Sequence, residues 1–158
     1  MIYDFNVDEV FEMAEQVERN GAKFYREAAE NVDDSDAKKL LNDFAIMEDQ
    51  HEKTFAALRS ELKDVEKQGT VFDPDEESIL YLRALADTRV FFKKEIDTSS
   101  LKEILKAALI AEKDSIVFYL GMKELVPEKL GKDKIDSIIK EEMNHIKIIG
   151  GKLREFKK

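Results

Sequence analysis

The 158-residue chain has no cysteine, no tryptophan, two prolines, six glycines and no long uncharged apolar run. Without cysteine there can be no disulfide, thiol nucleophile, thiolate-bound zinc or iron–sulfur cluster, so any metal site must use oxygen and nitrogen ligands. Apolar runs such as Ala107 to Ala111 fall far short of the ~18 residues that span a bilayer. The opening segment MIYDFNVDEVFE is acidic where a secretion signal would be basic. A cytoplasmic protein without a membrane segment is the expectation. Lys and Arg number 26 against 35 Asp and Glu, a net charge of −9. With a pI near 4.9, the chain is a poor match to a phosphate backbone, and no nucleic acid partner is expected. Enrichment in Lys and Glu leans towards a thermophilic source.

What remains is a globular composition, 43% hydrophobic and 39% charged. The length suits a single domain over residues 1–158, and a chain of this size buries about 68–70% of its unfolded surface without a covalent or metal staple. Between the prolines and glycines the apolar period is helical, with no two-residue alternation, so the reading is all-α. Four long helices are expected. The first runs from Asn6 or Val7 to Glu30, with Asn6 and Glu9 at capping-box spacing, and the second from Asp33–Ser35 to Lys67, stopped by Gly69. The third starts at the capping box Ser100-Leu101-Lys102-Glu103 and ends before Pro127, and the fourth spans Lys132 to Arg154. The segment from Gly69 to Ser99, with a short helix expected over Glu76 to Ala86, is long enough to travel the length of a bundle.

Carboxylates interrupt the apolar stripes. Phe11, Ala14, Glu18, Gly21, Tyr25 and Ala28 share one face of the first helix, and Phe44, Glu48, His51, Phe55 and Leu58 one face of the second. Leu105, Ala108, Glu112, Ser115, Tyr119 and Met122 do so on the third, and Ile135, Ile138, Glu142, His145 and Ile149 on the fourth. Four inward carboxylates in one small core cost several kcal/mol each if ionised and unpaired. No Arg or Lys stands beside them in the stripes, so metal cations are the natural compensation.

An internal repeat strengthens this reading. A constant offset of 94 residues maps Glu18, Phe24, Tyr25, Glu48 and His51 onto Glu112, Phe118, Tyr119, Glu142 and His145. The chain reads as two copies of a helical hairpin, each with a Glu in its first helix and Glu-x-x-His in its second. Glu and His three apart on a helix point the same way and can act on one ion. Four carboxylates neutralise two divalent cations, and the mixed oxygen and nitrogen set suits iron or manganese better than calcium or magnesium.

This pattern resembles the ferritin-like di-iron carboxylate proteins, most closely the rubrerythrin-type di-iron domain, in which two helices give one Glu each and two give Glu-x-x-His. The resemblance covers all four long helices. It implies a ferritin-like four-helix bundle of two hairpins joined by a long crossover, and two iron ions per chain, with manganese or a mixed pair as alternatives. It further implies that Glu18 and His51 are terminal ligands of one iron, Glu112 and His145 of the other, and that Glu48 and Glu142 bridge. Tyr25 and Tyr119 resemble the tyrosines that hydrogen-bond ligand carboxylates in this family. Two departures stand out. Ser115 occupies the position where rubrerythrins commonly carry an extra glutamate, and the rubredoxin-like domain with its Cys-x-x-Cys pairs is missing.

The activity implied is oxidoreductase chemistry: reduction of hydrogen peroxide, or of oxygen, in oxidative-stress defence, with electrons from an external rubredoxin-like donor. A ferroxidase or iron-handling role and a metal-free helical adaptor are the alternatives. Met13, Met47, Met122 and Met143 are expected to pack. The acidic segment Asp73 to Glu77 lacks the spacing of a calcium loop and reads as a solvated helix start. Apolar residues on a second face of the first and third helices, such as Val17, Phe24, Ile116 and Val117, are compatible with a homodimer.

Overall fold

The computed structural model describes residues 7–62, 80–82, 97–126 and 128–157. They are mainly helical, with no strand among them: α1 (Val7–Glu30), α2 (Ser35–Ser60), α3 (Leu101–Leu125) and α4 (Lys132–Glu155), with a short 3-10 turn at Glu128–Leu130. No helix among the described residues is long and apolar enough to cross a membrane.

Local chemistry sets the ends. Asp34 caps α2 by accepting from the Ala37 amide at 2.8 Å, and Ser100 caps α3 by accepting from the Glu103 amide at 3.2 Å. Ahead of α4, Gly131 adopts φ 107°, and a Cβ there would lie 2.6 Å from Leu58. Both the left-handed backbone and the close approach of α2 therefore require glycine.

One boundary differs from expectation. Helix α2 ends at Ser60 and not at Lys67, closed by the Glu61 amide bonding to Ala57 and Leu58 carbonyls while Ser60 Oγ bonds back to Ala57. A serine hydroxyl that takes a helical carbonyl in the last turn offers the chain an exit well before Gly69. The expected Asn6 cap, the segment Asp73 to Glu77, and all of the expected short helix except the helical residues 80–82 lie outside the described residues.

The core is in two parts. One contains Val10, Phe11 and Ala14 of α1, Phe55 and Leu58 of α2, Phe118 and Met122 of α3, and Ile135 and Ile138 of α4, joined by Leu82. The other contains Tyr25 and Ala28, Leu41 and Phe44, Ile104 and Leu105, and Ile149. From the first core to the second, α1 and α4 run one way and α2 and α3 the other. The chain is thus two antiparallel hairpins, and the connection from α2 to α3 must travel from one end of the bundle to the other. Val17 and Phe24 belong to these cores, and Ile116 packs against the first. Between the cores, at mid-height, lies a layer of buried polar residues.

Candidate metal centre

That layer contains Glu18, Glu48, His51, Glu112, Glu142 and His145, each no more than 4% exposed. Every one lies at the middle of its helix, where the stripe that buries Phe11 and Ala28, or Phe44 and Phe55, must bury it as well. They form two groups that share members: Glu18, Glu48, His51 and Glu142, and then Glu48, Glu112, Glu142 and His145, with the donor atoms of each group within 4.8 Å of one another.

The oxygens divide between the two groups in a definite way. His51 Nδ1 faces Glu142 Oε1 at 2.9 Å, with Glu18 Oε2 and Glu48 Oε2 at 3.5 Å. His145 Nδ1 faces Glu112 Oε1 at 3.3 Å, Glu48 Oε1 at 3.4 Å and Glu142 Oε2 at 3.5 Å. Glu48 and Glu142 thus offer one oxygen to each imidazole, whereas Glu18 approaches His51 and Glu112 approaches His145.

Three of these atoms, His51 Nδ1 and both oxygens of Glu142, are buried without any hydrogen-bond partner. Short N···O approaches that lack hydrogen-bond geometry leave lone pairs converging on a common point, which suits a cation. Buried polar groups are otherwise almost always satisfied, so the donor set fits a pair of metal ions.

Electrostatics point the same way. Burial, reinforced by neighbouring Glu48, pushes the Glu18 carboxyl well above its ordinary range, and burial with Glu142 does the same to Glu112. Glu48 and Glu142 go the other way: burial alone would raise them, but the close approach of the neighbouring glutamic acids and of both imidazoles holds them low. Burial would lower the histidines, yet the surrounding carboxylates overcome it, raising His51 strongly and pushing His145 up to about 12. Without metal the layer therefore approaches neutrality by holding protons on Glu18, Glu112 and both imidazoles. Two divalent cations in place of those protons give the same balance with four carboxylates and two neutral imidazoles.

The tyrosines reach across the bundle. Tyr25 of α1 donates to Glu112 of α3, and Tyr119 of α3 donates to Glu18 of α1. Both phenols are fully buried, and burial together with Glu112 or Glu18 raises them well above their ordinary range, so they remain neutral donors. Ser115, also buried, bonds back to the Ala111 carbonyl at 3.0 Å and contributes no carboxylate. Its counterpart in the repeat, Gly21, leaves room for Glu48, whose Cγ would lie 3.4 Å from a Cβ there.

The outer edges of the histidines show what the stripes did not. His51 Nε2 is 2.5 Å from Glu141 Oε2, and His145 Nε2 is 3.3 Å from Met47 Sδ. Of the methionines expected to pack, Met122 is in the core and Met13 lies against it, but Met143 is 57% exposed and Met47 is a neighbour of His145. Met143 precedes Asn144 and His145 on α4 but sits off the buried stripe, so helical position explains its exposure. A surface pocket of about 480 Å³ between α2 and α4 is lined by His51 and Glu141 together with Gln50, Thr54, Lys134 and Ile138.

Comparison with known proteins agrees with the geometry. The rubrerythrin family model matches residues 1–59. A crystal structure from Thermotoga maritima, provisionally assigned as a ferritin-like diiron-carboxylate protein, superposes with a TM-score of 0.70 at 26% identity, covering 98% of this chain and 99% of that one. No curated protein matches the chain. Together, these likenesses and the layer of clustered carboxylates and histidines support the ferritin-like di-iron-carboxylate superfamily.

Proposed function

We propose that this ferritin-like bundle is a non-haem di-iron redox protein that reduces hydrogen peroxide, or oxygen, with electrons from an external donor. The observation that carries the reading is the division of the Glu48 and Glu142 oxygens between His51 and His145. In this reading Glu48 and Glu142 would be shared by both ions, with Glu18 and His51 holding one and Glu112 and His145 the other. Six residues leave octahedral ions with open positions unless carboxylates chelate, which leaves space for a small oxidant.

A pair of ferrous ions held by these six residues would supply the two electrons that take hydrogen peroxide and two protons to two molecules of water. The chain contributes position, charge and dryness. Tyr25 and Tyr119 fix the orientation of Glu112 and Glu18 through their hydroxyls. The two apolar cores above and below the layer limit access of water along the bundle axis. Re-reduction is assigned to an external donor, for which a rubredoxin-like carrier is suited. Where rubrerythrins commonly carry an extra glutamate, Ser115 offers a hydroxyl bound to its own helix, so no carboxylate movement is assigned to that position.

The test has two parts. Metal content per chain on anaerobically prepared protein is expected to approach two iron, and to be lost in the Glu48→Ala, Glu142→Ala double variant. Stopped-flow mixing of the ferrous protein with each oxidant is then expected to show peroxide reacting faster than oxygen. Reaction no faster with peroxide would turn the assignment towards ferroxidase activity, and failure to take up transition metal would leave a helical adaptor.

A further inference from the structure

The repeat that relates the ligands also relates the residues behind them. Under the 94-residue offset Met47 corresponds to Glu141 and His51 to His145. Each histidine is backed by the residue that precedes the shared glutamate of the opposite hairpin: Glu141 behind His51, Met47 behind His145. The inner halves of the two groups match, and the outer halves do not.

We propose that Glu141 and Met47 make the two metal positions unequal, with the His51 position the tighter and the first to fill. The inference rests on the assignment of the six ligands given above. With Nε2 at 2.5 Å from a carboxylate oxygen, His51 would keep its outer hydrogen when metal replaces the inner one, leaving the Nδ1 lone pair for an ion held with Glu18, Glu48 and Glu142. A carboxylate that accepts the outer N–H fixes the tautomer and raises the donor strength of the inner nitrogen. The thioether of Met47, 3.3 Å from His145 Nε2, is a weak acceptor and carries no charge. His145 therefore presents an inner nitrogen of similar position and lower basicity. Glu141 adds one negative charge on the His51 side, at a side chain 51% exposed, and nothing equivalent stands at Met47.

Exposure makes Glu141 a positioning residue that can be changed without opening the core. The experiment is an anaerobic titration of the metal-free protein with cobalt(II) at neutral pH, followed by calorimetry and by the visible absorption of the bound ion. Wild type is expected to bind two ions in resolved steps. Glu141→Met, which puts a thioether behind both histidines, is expected to weaken the first step by about 10–100-fold while leaving the second nearly unchanged. Glu141→Gln, which retains an acceptor oxygen without the charge, falls between. Met47→Glu, which puts a carboxylate behind both, is expected to strengthen the second step and draw the two together from the other side. Two cobalt ions bound with the same separation in Glu141→Met and Met47→Glu as in wild type would overturn the inference and leave the ligand assignment standing. Wild type that binds no cobalt would overturn both.

Discussion

The two hairpins carry the same Glu, Glu-x-x-His and tyrosine on different scaffolds. Helices α1 and α2 pack together along more of their length than α3 and α4 do. They are also tied by arginines: Arg19 to Glu52 at 2.8 Å, Arg26 to Asp49, and Arg59 to Asp8 at 2.7 and 3.0 Å with Glu15 at 2.9 Å. Between α3 and α4 the described residues show Lys123 bound to Asp136 at 2.6 Å. The family model matches the first hairpin's residues 1–59, yet the second hairpin holds a matching Glu, Glu-x-x-His and tyrosine. What the halves share is what two metal ions would need, and what differs is how each pair of helices is held when no metal helps.

Removing the metal should therefore separate the halves most. With free metal at about 1,000 times its dissociation constant, binding contributes about 4 kcal/mol. Chelation is expected to lower stability by an amount of that order and to speed amide exchange in α3 and α4 before α1 and α2. Uniform loss of protection would break the contrast.

Second in size is the pH response of the metal-free chain. Glu18 and Glu112 titrate above their ordinary 4.5 when folded, so their stabilisation is full below 4.5 and is lost as pH rises through the raised values. His51 and His145 are also raised, His145 to about 12, so their contribution is full below 6.5 and declines above it. Glu48 and Glu142 are lowered and act in reverse, their contribution being lost as pH falls below 4.5. Denaturant midpoints are thus expected to peak in mild acid and fall as pH rises above about 6.5, with loading by a divalent metal flattening the decline. A metal-free chain that gains stability towards alkaline pH would contradict the charge balance derived for the layer.

Tyr25→Phe and Tyr119→Phe should each cost about 1–3 kcal/mol by leaving a buried carboxylate oxygen without its donor. Because Tyr119 serves Glu18 and Tyr25 serves Glu112, the change in one hairpin is expected to weaken cobalt binding at the position built mainly by the other. Arg59→Ala is expected to destabilise by about 1 kcal/mol, since this partly shielded contact is bidentate to Asp8 and also reaches Glu12 and Glu15, while Lys123→Ala costs less than about 0.5 kcal/mol. Equal losses in urea titrations would remove the arginines as the source of the contrast. The smallest change is at the repeat-related pair Gly21 and Ser115. Gly21→Ala gains up to about 1 kcal/mol of helix propensity, and a Cβ at 3.4 Å from Glu48 Cγ fits with slight adjustment, so the thermal midpoint is expected to rise. Ser115→Ala should leave it nearly unchanged.

Much of this arrangement was legible in the sequence because helical period and buried charge are both local patterns. The stripe through Phe11, Ala14, Glu18 and Tyr25 put a carboxylate in the core, and the Asp34, Ser100 and Gly131 region marked the helix starts. The 94-residue offset then brought all six polar residues to one level. What escaped depends on neighbours across helices. Glu141 and Met47 each lie next to an inward glutamate and so project off the stripe by about 100°, where only the packing of α2 against α4 reveals that they meet a histidine. The offset itself pairs 47 with 141, a signal that was present and unused. Glu15 was equally hidden: it is 7% exposed and accepts a hydrogen bond from Arg59, 44 residues away. The early end of α2 reflected a serine hydroxyl competing for a backbone carbonyl, a contest that periodicity does not register.

The crossing of the tyrosines has a consequence for how the protein is made. Each hairpin alone offers three of the six donors, and its outlying glutamate is oriented by a hydroxyl from the other. A newly synthesised first half therefore has no finished place to hold a ferrous ion, however well its two helices have closed. On the di-iron reading, capture of metal would wait for the second hairpin to dock in the correct register, making the centre a coincidence detector of completed assembly. On that reading, the two phenols that would steady the finished centre also tie its completion to the docking of both hairpins.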